Sequence, residues 1–375
     1  MNQRLLSLSV PLRHEVTSAP KADRKSANGR AIVEILRRIL FQTIPYGKPA
    51  SRLLDIDAAR GLAIVLVVMG HVATASKWPA DNDWYLVLMV LIYRFHMPLF
   101  MVLTGITFAL SLPRFNSWTE VRAFSIKRAK RLFLPYVGLG LVIWLGKLIA
   151  SRFMYVDNPP TTFVENAITL LLVPAEGVAR FLWFVYVLSI YLILVPAFFY
   201  AFGRRPVLLF AIGMVLQLGN WPEILMLSSV VFYLPFFAGG MILWTYHSSW
   251  ASMRPLVFWT SALVFGSLLA LAIPFSIPKW LIGACSVPAV IGLMQRVPSV
   301  LQLFFGWLGQ NSLSIYLLNG IAMGVTKGFL FKFLPWDGVN FLFYFPLLVL
   351  AGVAIPLMIK RGAIQWLPPS VAKYI

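Results

Sequence analysis

Acidic residues and cysteine are both scarce in this 375-residue chain, which holds 13 Asp and Glu and one cysteine, Cys285. A single cysteine excludes a disulfide framework and a cysteine-based metal site within one chain. Charged residues make up only 12% of the sequence, against 59% hydrophobic residues, and the mean hydropathy is +0.80. This composition is too apolar for a soluble domain of such length, and it predicts a polytopic membrane protein.

The net charge of +19 would indicate a nucleic-acid partner in a soluble protein. Here Lys and Arg lie between apolar runs instead of forming one basic, aromatic-rich patch, so we expect no nucleic-acid binding. Windows of about 20 residues identify ten apolar segments, near 60–77, 88–111, 132–151, 181–202, 206–219, 224–246, 256–273, 280–294, 301–326 and 340–359. The sequence therefore predicts an all-α, polytopic membrane helical bundle of about ten transmembrane helices.

The basic residues are distributed unevenly between the two sides of this predicted bundle. If the N-terminal tail is cytoplasmic, only six of the 32 Lys and Arg residues fall in outside loops: Lys77, Arg152, Arg180, Lys279, Lys327 and Lys332. By the positive-inside rule, both termini are predicted to be cytoplasmic in a multi-pass protein of the inner (plasma) membrane. We divide the chain into a basic tail, 1–52, a membrane domain, 53–362, and a short C-terminal tail, 363–375.

Arg60 and His71 enclose ten almost entirely apolar residues, Gly61 to Gly70. Eleven positions on an α-helix return the chain to within about 20° of its starting face, roughly 16 Å further along the axis. Both side chains are therefore expected to face the same side of the bundle. An ionisable group at membrane depth costs about 3 kcal/mol or more, which favours a functional site. Alternatively, Arg60 marks the cytoplasmic helix end and His71 is a hydrogen-bonded packing residue.

A second apolar segment contains Arg94 and His96 shortly before Pro98. Positions i and i+2 lie about 200° apart on a helix, so we expect His96 to face inward, and Arg94 to face the same cavity only if Pro98 distorts the turn. An unperturbed histidine pKa of about 6.5 makes His71 and His96 candidate general bases. Two histidines without nearby carboxylates form a poor metal site, so we predict no catalytic metal.

Several short motifs, in this order and spacing, resemble the acyltransferase 3 family. They are Leu54-Asp55-Ile56-Asp57-Ala58-Ala59-Arg60-Gly61, the Arg60-to-His71 spacing, Phe95-His96-Met97-Pro98-Leu99-Phe100, Lys127-Arg128-Ala129-Lys130-Arg131, Phe181-Leu182-Trp183-Phe184 and Ser312-Leu313-Ser314-Ile315-Tyr316-Leu317. The resemblance implies an integral membrane enzyme that moves an acyl group, usually acetyl, from cytoplasmic acyl-CoA to exported or cell-surface glycans. Many family members have ten spans.

The resemblance also implies roles for individual residues. His71 matches the family's essential histidine and Arg60 its partner, and we expect His96 to join them as a catalytic residue. Arg128 and Arg131 match an Arg-x-x-Arg pair; with Lys127 they are expected to bind the coenzyme A phosphates, since guanidinium groups suit phosphate oxygens. Alternatively, this cluster is an ordinary positive-inside anchor, and Asp57 and Arg60, at i and i+3, form a structural ion pair.

Trp183, Tyr316 and Asn319 are the expected substrate-binding residues. Ser312, Tyr316 and Asn319 fall on one helix face, so they are expected to line the cavity. Family members commonly have a histidine where this chain has Leu318-Asn319, and an asparagine cannot titrate. Tight contacts between small polar residues of neighbouring helices explain the same pattern.

The sequence thus predicts an acetyl-CoA-dependent O-acyltransferase whose partners are the lipid bilayer, a glycan acceptor and glycan-export machinery. An alternative is a transporter or flippase for a glycan or a small anion, using its intramembrane His and Arg residues as substrate or proton sites. A third reading is a non-catalytic subunit of a glycan-export complex, in which His71 would be replaceable without loss of modification.

Overall fold

The structure, a computed structural model, describes residues 53–73, 78–153, 156, 158–246 and 255–366. The predicted tails, 1–52 and 363–375, lie outside these ranges except for the segment 363–366. Across the described ranges the chain is helical and contains no strand, which confirms the all-α prediction. The division of the chain into two tails and a membrane domain remains a prediction.

The helices run in the order α1 Leu54–Gly70, α2 Asp83–Ser111, α3 Trp118–Ala150, α4 Phe163–Leu172, α5 Trp183–Phe202, α6 Pro206–Leu216, α7 Leu227–Thr245, α8 Pro255–Leu271, α9 Lys279–Met294, α10 Ser299–Gln310, α11 Ser312–Leu330 and α12 Phe341–Trp366. Short 3-10 turns, Arg180–Leu182, Ile224–Met226 and Gly338–Asn340, lead into α5, α7 and α12.

Six of the described helices are long and apolar enough to cross a membrane: α2, α3, α5, α7, α11 and α12, counting the 3-10 turns that lead into them. The helices α4, α6, α8 and α9 are apolar but shorter. The ten-span count and the orientation of the termini therefore remain predictions. The single span expected over 301–326 is in fact two helices, which are separated at Asn311. The break falls at Gln310-Asn311-Ser312, a short polar stretch that a window of about 20 residues averages with its apolar neighbours.

Glycines allow α1 to pack directly on the backbone of α10. A Cβ atom at Gly61 would collide with the carbonyl oxygen of Phe305, and one at Gly309 with the carbonyl oxygen of Asp57. Small residues are typical of such close helix contacts in membranes, where van der Waals packing drives association. The contact fixes the position of α1, which carries both Arg60 and His71.

The C-terminal end of α2 is held by two arginines from other parts of the chain. Arg128 of α3 donates to Ser111 Oγ at 2.9 Å and to its carbonyl oxygen at 3.5 Å. Arg204, after α5, donates to the carbonyl oxygens of Leu112 at 3.0 Å and Pro113 at 2.8 Å. The last carbonyls of a helix have no intrahelical partner and carry partial negative charge, so both cations stabilise this end.

Candidate active site

A cavity of about 200 Å³ lies among α1, α2, α5, α7, α9 and α11. It brings together four of the residues expected at the site, His71, His96, Trp183 and Tyr316. The complete lining consists of Val67, His71, Tyr93, Arg94, His96, Met97, Pro98, Trp183, Phe232, Tyr233, Lys279 and Tyr316. Histidines, phenols and two cations thus share one small space inside an otherwise apolar bundle.

His71 follows the last residue of α1, and its ring is hydrogen-bonded to α11. Its Nδ1 lies 3.1 Å from Asn319 Oδ1, and Asn319 Nδ2 donates to the carbonyl oxygens of Ile315 at 2.9 Å and Tyr316 at 2.7 Å. These two carbonyls accept only, so the amide is oriented with its oxygen toward His71. Nδ1 must therefore carry the proton, which leaves the Nε2 lone pair of the neutral ring available as a base.

His96 of α2 also has its Nδ1 bonded to an oxygen that can only accept. Its Nδ1 lies 2.7 Å from the carbonyl oxygen of Ile92, one turn earlier, and a carbonyl can only accept. The side chain is 2% exposed, and its ring makes an edge contact with Tyr93 at a centroid distance of 5.0 Å. His96 therefore faces inward, as its sequence position predicts, and it too presents an unprotonated Nε2 when neutral.

Arg94 lines the cavity together with His96. Its long side chain donates to the carbonyl oxygens of Ile277 at 3.1 Å and Ala272 at 3.4 Å, in the connection between α8 and α9. The angle between positions 94 and 96 describes the directions of their Cα–Cβ bonds, and the long side chain of Arg94 extends beyond its own sector of the helix. Pro98, which removes one backbone donor from α2, lines the same cavity.

Tyr316 contributes to the cavity mainly by fixing the start of α5. Its hydroxyl donates to the carbonyl oxygen of Phe181 and accepts from the backbone N–H of Phe184 at 3.2 Å. Trp183 lies between these two residues and lines the cavity. The hydroxyl of Tyr316 is thus engaged with the backbone, and the side chain positions Trp183.

Arg60 and Asn319 are not among the residues lining the cavity. Arg60 Nη2 donates to Ser312 Oγ at 3.0 Å, so Arg60 and His71 both bond to α11, at two positions seven residues apart. This places the two side chains on the same side of α1, as their spacing predicts. Asn319 is 0% exposed and lies behind His71. Asn319 thus contacts His71 and not the cavity, and the substrate-binding role expected of it stays a prediction.

The basic cluster Lys127, Arg128 and Arg131 lies on α3, outside the cavity lining. Lys127 and Arg131 are exposed, whereas Arg128 is half-buried over the ring of Phe124, at 4.6 Å from the ring centroid. The three residues therefore differ in environment, and Arg128 has the structural partner Ser111 described above.

Sequence reasoning missed several residues that the structure brings to the cavity. Lys279 is the first residue of α9, and the sequence indicates only that it is a basic residue of an outside loop. Tyr93 and Tyr233 lie within apolar runs, and no motif includes them. Among the described residues, no group of three or more His, Cys, Asp or Glu side chains is arranged to hold a metal ion.

Comparison with known proteins identifies the family. Residues 53–361 match the family model described as an acyltransferase domain. The chain belongs to the acyltransferase 3 family. Nodulation protein NolL of Mesorhizobium japonicum (strain LMG 29417 / CECT 9101 / MAFF 303099) is 34% identical over 95 residues, which cover 25% of this chain and 24% of NolL. The chain thus matches about a quarter of that relative's length. No solved structure matches it. The resemblance to the family is confirmed.

Proposed function

We propose that this acyltransferase moves an acyl group, with acetyl as the first candidate, from acyl-CoA to a hydroxyl of an exported or cell-surface glycan. The observation that carries this proposal is the hydrogen bond from His71 Nδ1 to Asn319, which leaves the Nε2 lone pair of the neutral ring available on a residue that lines the cavity. We place the protein in the plasma membrane, because its basic residues follow the positive-inside pattern.

In the proposed reaction, His71 Nε2 accepts the proton of the acceptor hydroxyl while the hydroxyl oxygen attacks the thioester carbonyl. The new C–O bond forms as the C–S bond breaks, and the imidazolium returns the proton to the departing coenzyme A thiolate. The products are the glycan ester and free coenzyme A, so atoms and charges balance. A positioned base of this kind contributes roughly 10²–10⁴-fold to the rate.

The same lone pair also suits direct attack of His71 on the thioester, which would give an acyl-imidazole before the acceptor reacts. The two routes predict different kinetics. A burst of coenzyme A release, equal to the amount of enzyme and independent of acceptor, is expected only for the covalent route.

The donor is proposed to enter from the cytoplasmic side, where α2 ends at Ser111. Arg128 binds that end of α2, and Arg131 and Lys127 lie exposed beside it on α3. His96 precedes Ser111 by fifteen residues, or about 22 Å of helix. A donor with its phosphates at the basic cluster and its thioester in the cavity therefore needs a long flexible arm, and the pantetheine arm of coenzyme A provides one.

The first experiment is mass spectrometry of surface glycans from cells that express the wild type, His71→Ala or no protein. We expect a mass gain of one acyl group only with the wild type, and that mass identifies the acyl group. Identical glycans in all three strains would contradict the proposal and favour a transporter. Membrane levels of His71→Ala should equal those of the wild type, since the change makes α1 less polar.

Hydrolysis of acetyl-CoA by the purified protein provides a second measurement that needs no knowledge of the acceptor. An acyltransferase is expected to show slow hydrolysis that His71→Ala abolishes, whereas a transporter is expected to show none. Tyr200→Phe, an exposed change away from the cavity lining, is the matched control and should hydrolyse at the wild-type rate.

A further inference from the structure

Several side chains that line the cavity carry hydrogen-bond donors with no acceptor among the described residues. Lys279, the indole N–H of Trp183 and the hydroxyl of Tyr233 make no hydrogen bond among the described residues, yet all three line the cavity. Arg94 uses two of its five N–H groups to bond backbone carbonyls, so three N–H groups are available to a ligand. A ligand rich in acceptor oxygens would satisfy these groups.

The lining also carries positive charge that no lining residue balances. It contains Arg94 and Lys279 and no Asp or Glu. Cations at membrane depth are costly and usually mark a substrate path or a partner. A cleft lined by charges of one sign focuses their field and so attracts anions more strongly than isolated surface charges do.

We propose that Arg94 and Lys279 bind an oxyanion of the acceptor, a carboxylate or a phosphate, so that the acylated glycan is an acidic one. This inference rests on the proposed function. We take the acceptor as the source of the anion because the donor's phosphates are proposed to bind at the C-terminal end of α2, seventeen residues or about 25 Å of helix from Arg94, and an acetyl group carries no charge. Lys279 is exposed, Arg94 and His71 are half-buried, and His96 is 2% exposed, so Lys279 lies nearest the open side of the cavity and His96 deepest within it.

The test measures binding without any acyl donor. Full-length protein is reconstituted in phosphatidylcholine nanodiscs, and saturation-transfer NMR gives the Kd of three probes: glucuronate, glucose 1-phosphate and glucose. We expect at least one of the two anions to bind the wild type about 10-fold more tightly than glucose, which is the size of one charge-assisted hydrogen-bond pair. High salt should reduce this preference.

Two substitutions test whether the preference for an anion over glucose arises in the cavity. Lys279→Gln and Arg94→Gln are each expected to reduce it to about 3-fold or less, and Arg94→Lys should retain most of it. Lys332→Gln and Arg152→Gln are matched controls, because both residues are exposed and outside the cavity lining, and both should bind like the wild type. Equal affinity of the wild type for glucose and both anions, or an unchanged preference in both Gln variants, would overturn the proposal.

Two further measurements test whether the anion comes instead from a lipid headgroup or from the acyl donor. If the preference vanishes in nanodiscs that contain phosphatidylglycerol, the site takes lipid headgroups, and the acceptor assignment is wrong. If Lys279→Gln slows hydrolysis of succinyl-CoA but not of acetyl-CoA, and glucuronate binding is unchanged, the anion belongs to the donor and the proposal is again overturned.

The result of this binding measurement can be distinguished from the result of the acetyl-CoA hydrolysis measurement that tests the proposed function. A wild type that prefers glucuronate yet hydrolyses no acetyl-CoA would contradict the transfer reaction and leave the anion site standing. A wild type that hydrolyses acetyl-CoA and binds all three probes equally would contradict only the anion site.

Discussion

Asn319 of α11 accepts a hydrogen bond from Nδ1 of His71, at 3.1 Å, while its own amide nitrogen is held by two carbonyl oxygens of the same helix. The amide cannot flip by 180° without placing its oxygen against those two carbonyl oxygens. This arrangement selects one tautomer of the neutral His71 ring and restrains the ring's orientation.

Asn319→Leu is expected to lower the rate of acetyl transfer about 10–100-fold, because His71 loses the acceptor that orients it. Asn319→Asp, which burial should keep protonated, retains an acceptor oxygen toward His71 and an O–H donor toward the carbonyls of Ile315 and Tyr316, so it should retain more activity than the leucine variant. The measurement is the acetyl content of surface glycans at matched protein levels. Thr326→Val is the control, since this hydroxyl bonds only within α11. Equal activity of the Leu and Asp variants would argue that Asn319 serves packing alone.

The sequence predicted best what helix geometry determines locally. The shared face of Arg60 and His71 follows from their spacing on one helix, and both side chains do bond to α11. Lys279 could not be found in this way. It reaches the cavity because Gly283 of α9 packs against the ring of Pro98, and a contact between distant segments leaves no trace in local hydropathy.

Arg131 and Arg128 are expected to give different phenotypes although they share one motif. Arg131 is exposed and is proposed to contact the donor's phosphates, so Arg131→Ala should raise the KM for acetyl-CoA about 10-fold with little change in kcat. S-acetylpantetheine, which lacks those phosphates, should be used equally well by the wild type and Arg131→Ala. Arg122→Ala, an exposed change on the same helix, is the control and should leave KM unchanged.

Arg128→Ala is expected to lower the free energy of unfolding by about 1–3 kcal/mol, because Ser111 at the end of α2 loses its charged donor. The thermal midpoint in detergent measures this loss. Ser111→Ala removes part of the same contact, so its effect should not add fully to that of Arg128→Ala. If instead Arg128→Ala keeps the wild-type midpoint and changes only KM, Arg128 acts on the donor and not on α2.

Tyr316→Phe is expected to lower acetyl transfer through Trp183. The change removes the hydroxyl that binds Phe181 and Phe184, so the start of α5 loses its anchor to α11. Trp183→Phe should lower transfer as well, and the double variant should be no worse than the more damaging single variant, because both act on the same element. Fully additive losses would show that Tyr316 has a separate role in the cavity.

The contact between α1 and α10 offers a test of how the site is held in position. Alanine normally stabilises a helix interior by roughly 0.5–1 kcal/mol relative to glycine, yet Gly61→Ala and Gly309→Ala would each drive a methyl group into a facing backbone carbonyl. We expect each variant to lose about 1–3 kcal/mol of stability, with transfer falling as well because α1 carries His71. Gly324→Ala is the matched control, since no atom lies within 4 Å of a Cβ at that position, and its thermal midpoint should equal or exceed that of the wild type. If all three variants behave alike, the glycines do not set the distance between α1 and α10, and His71 is positioned by α11 alone.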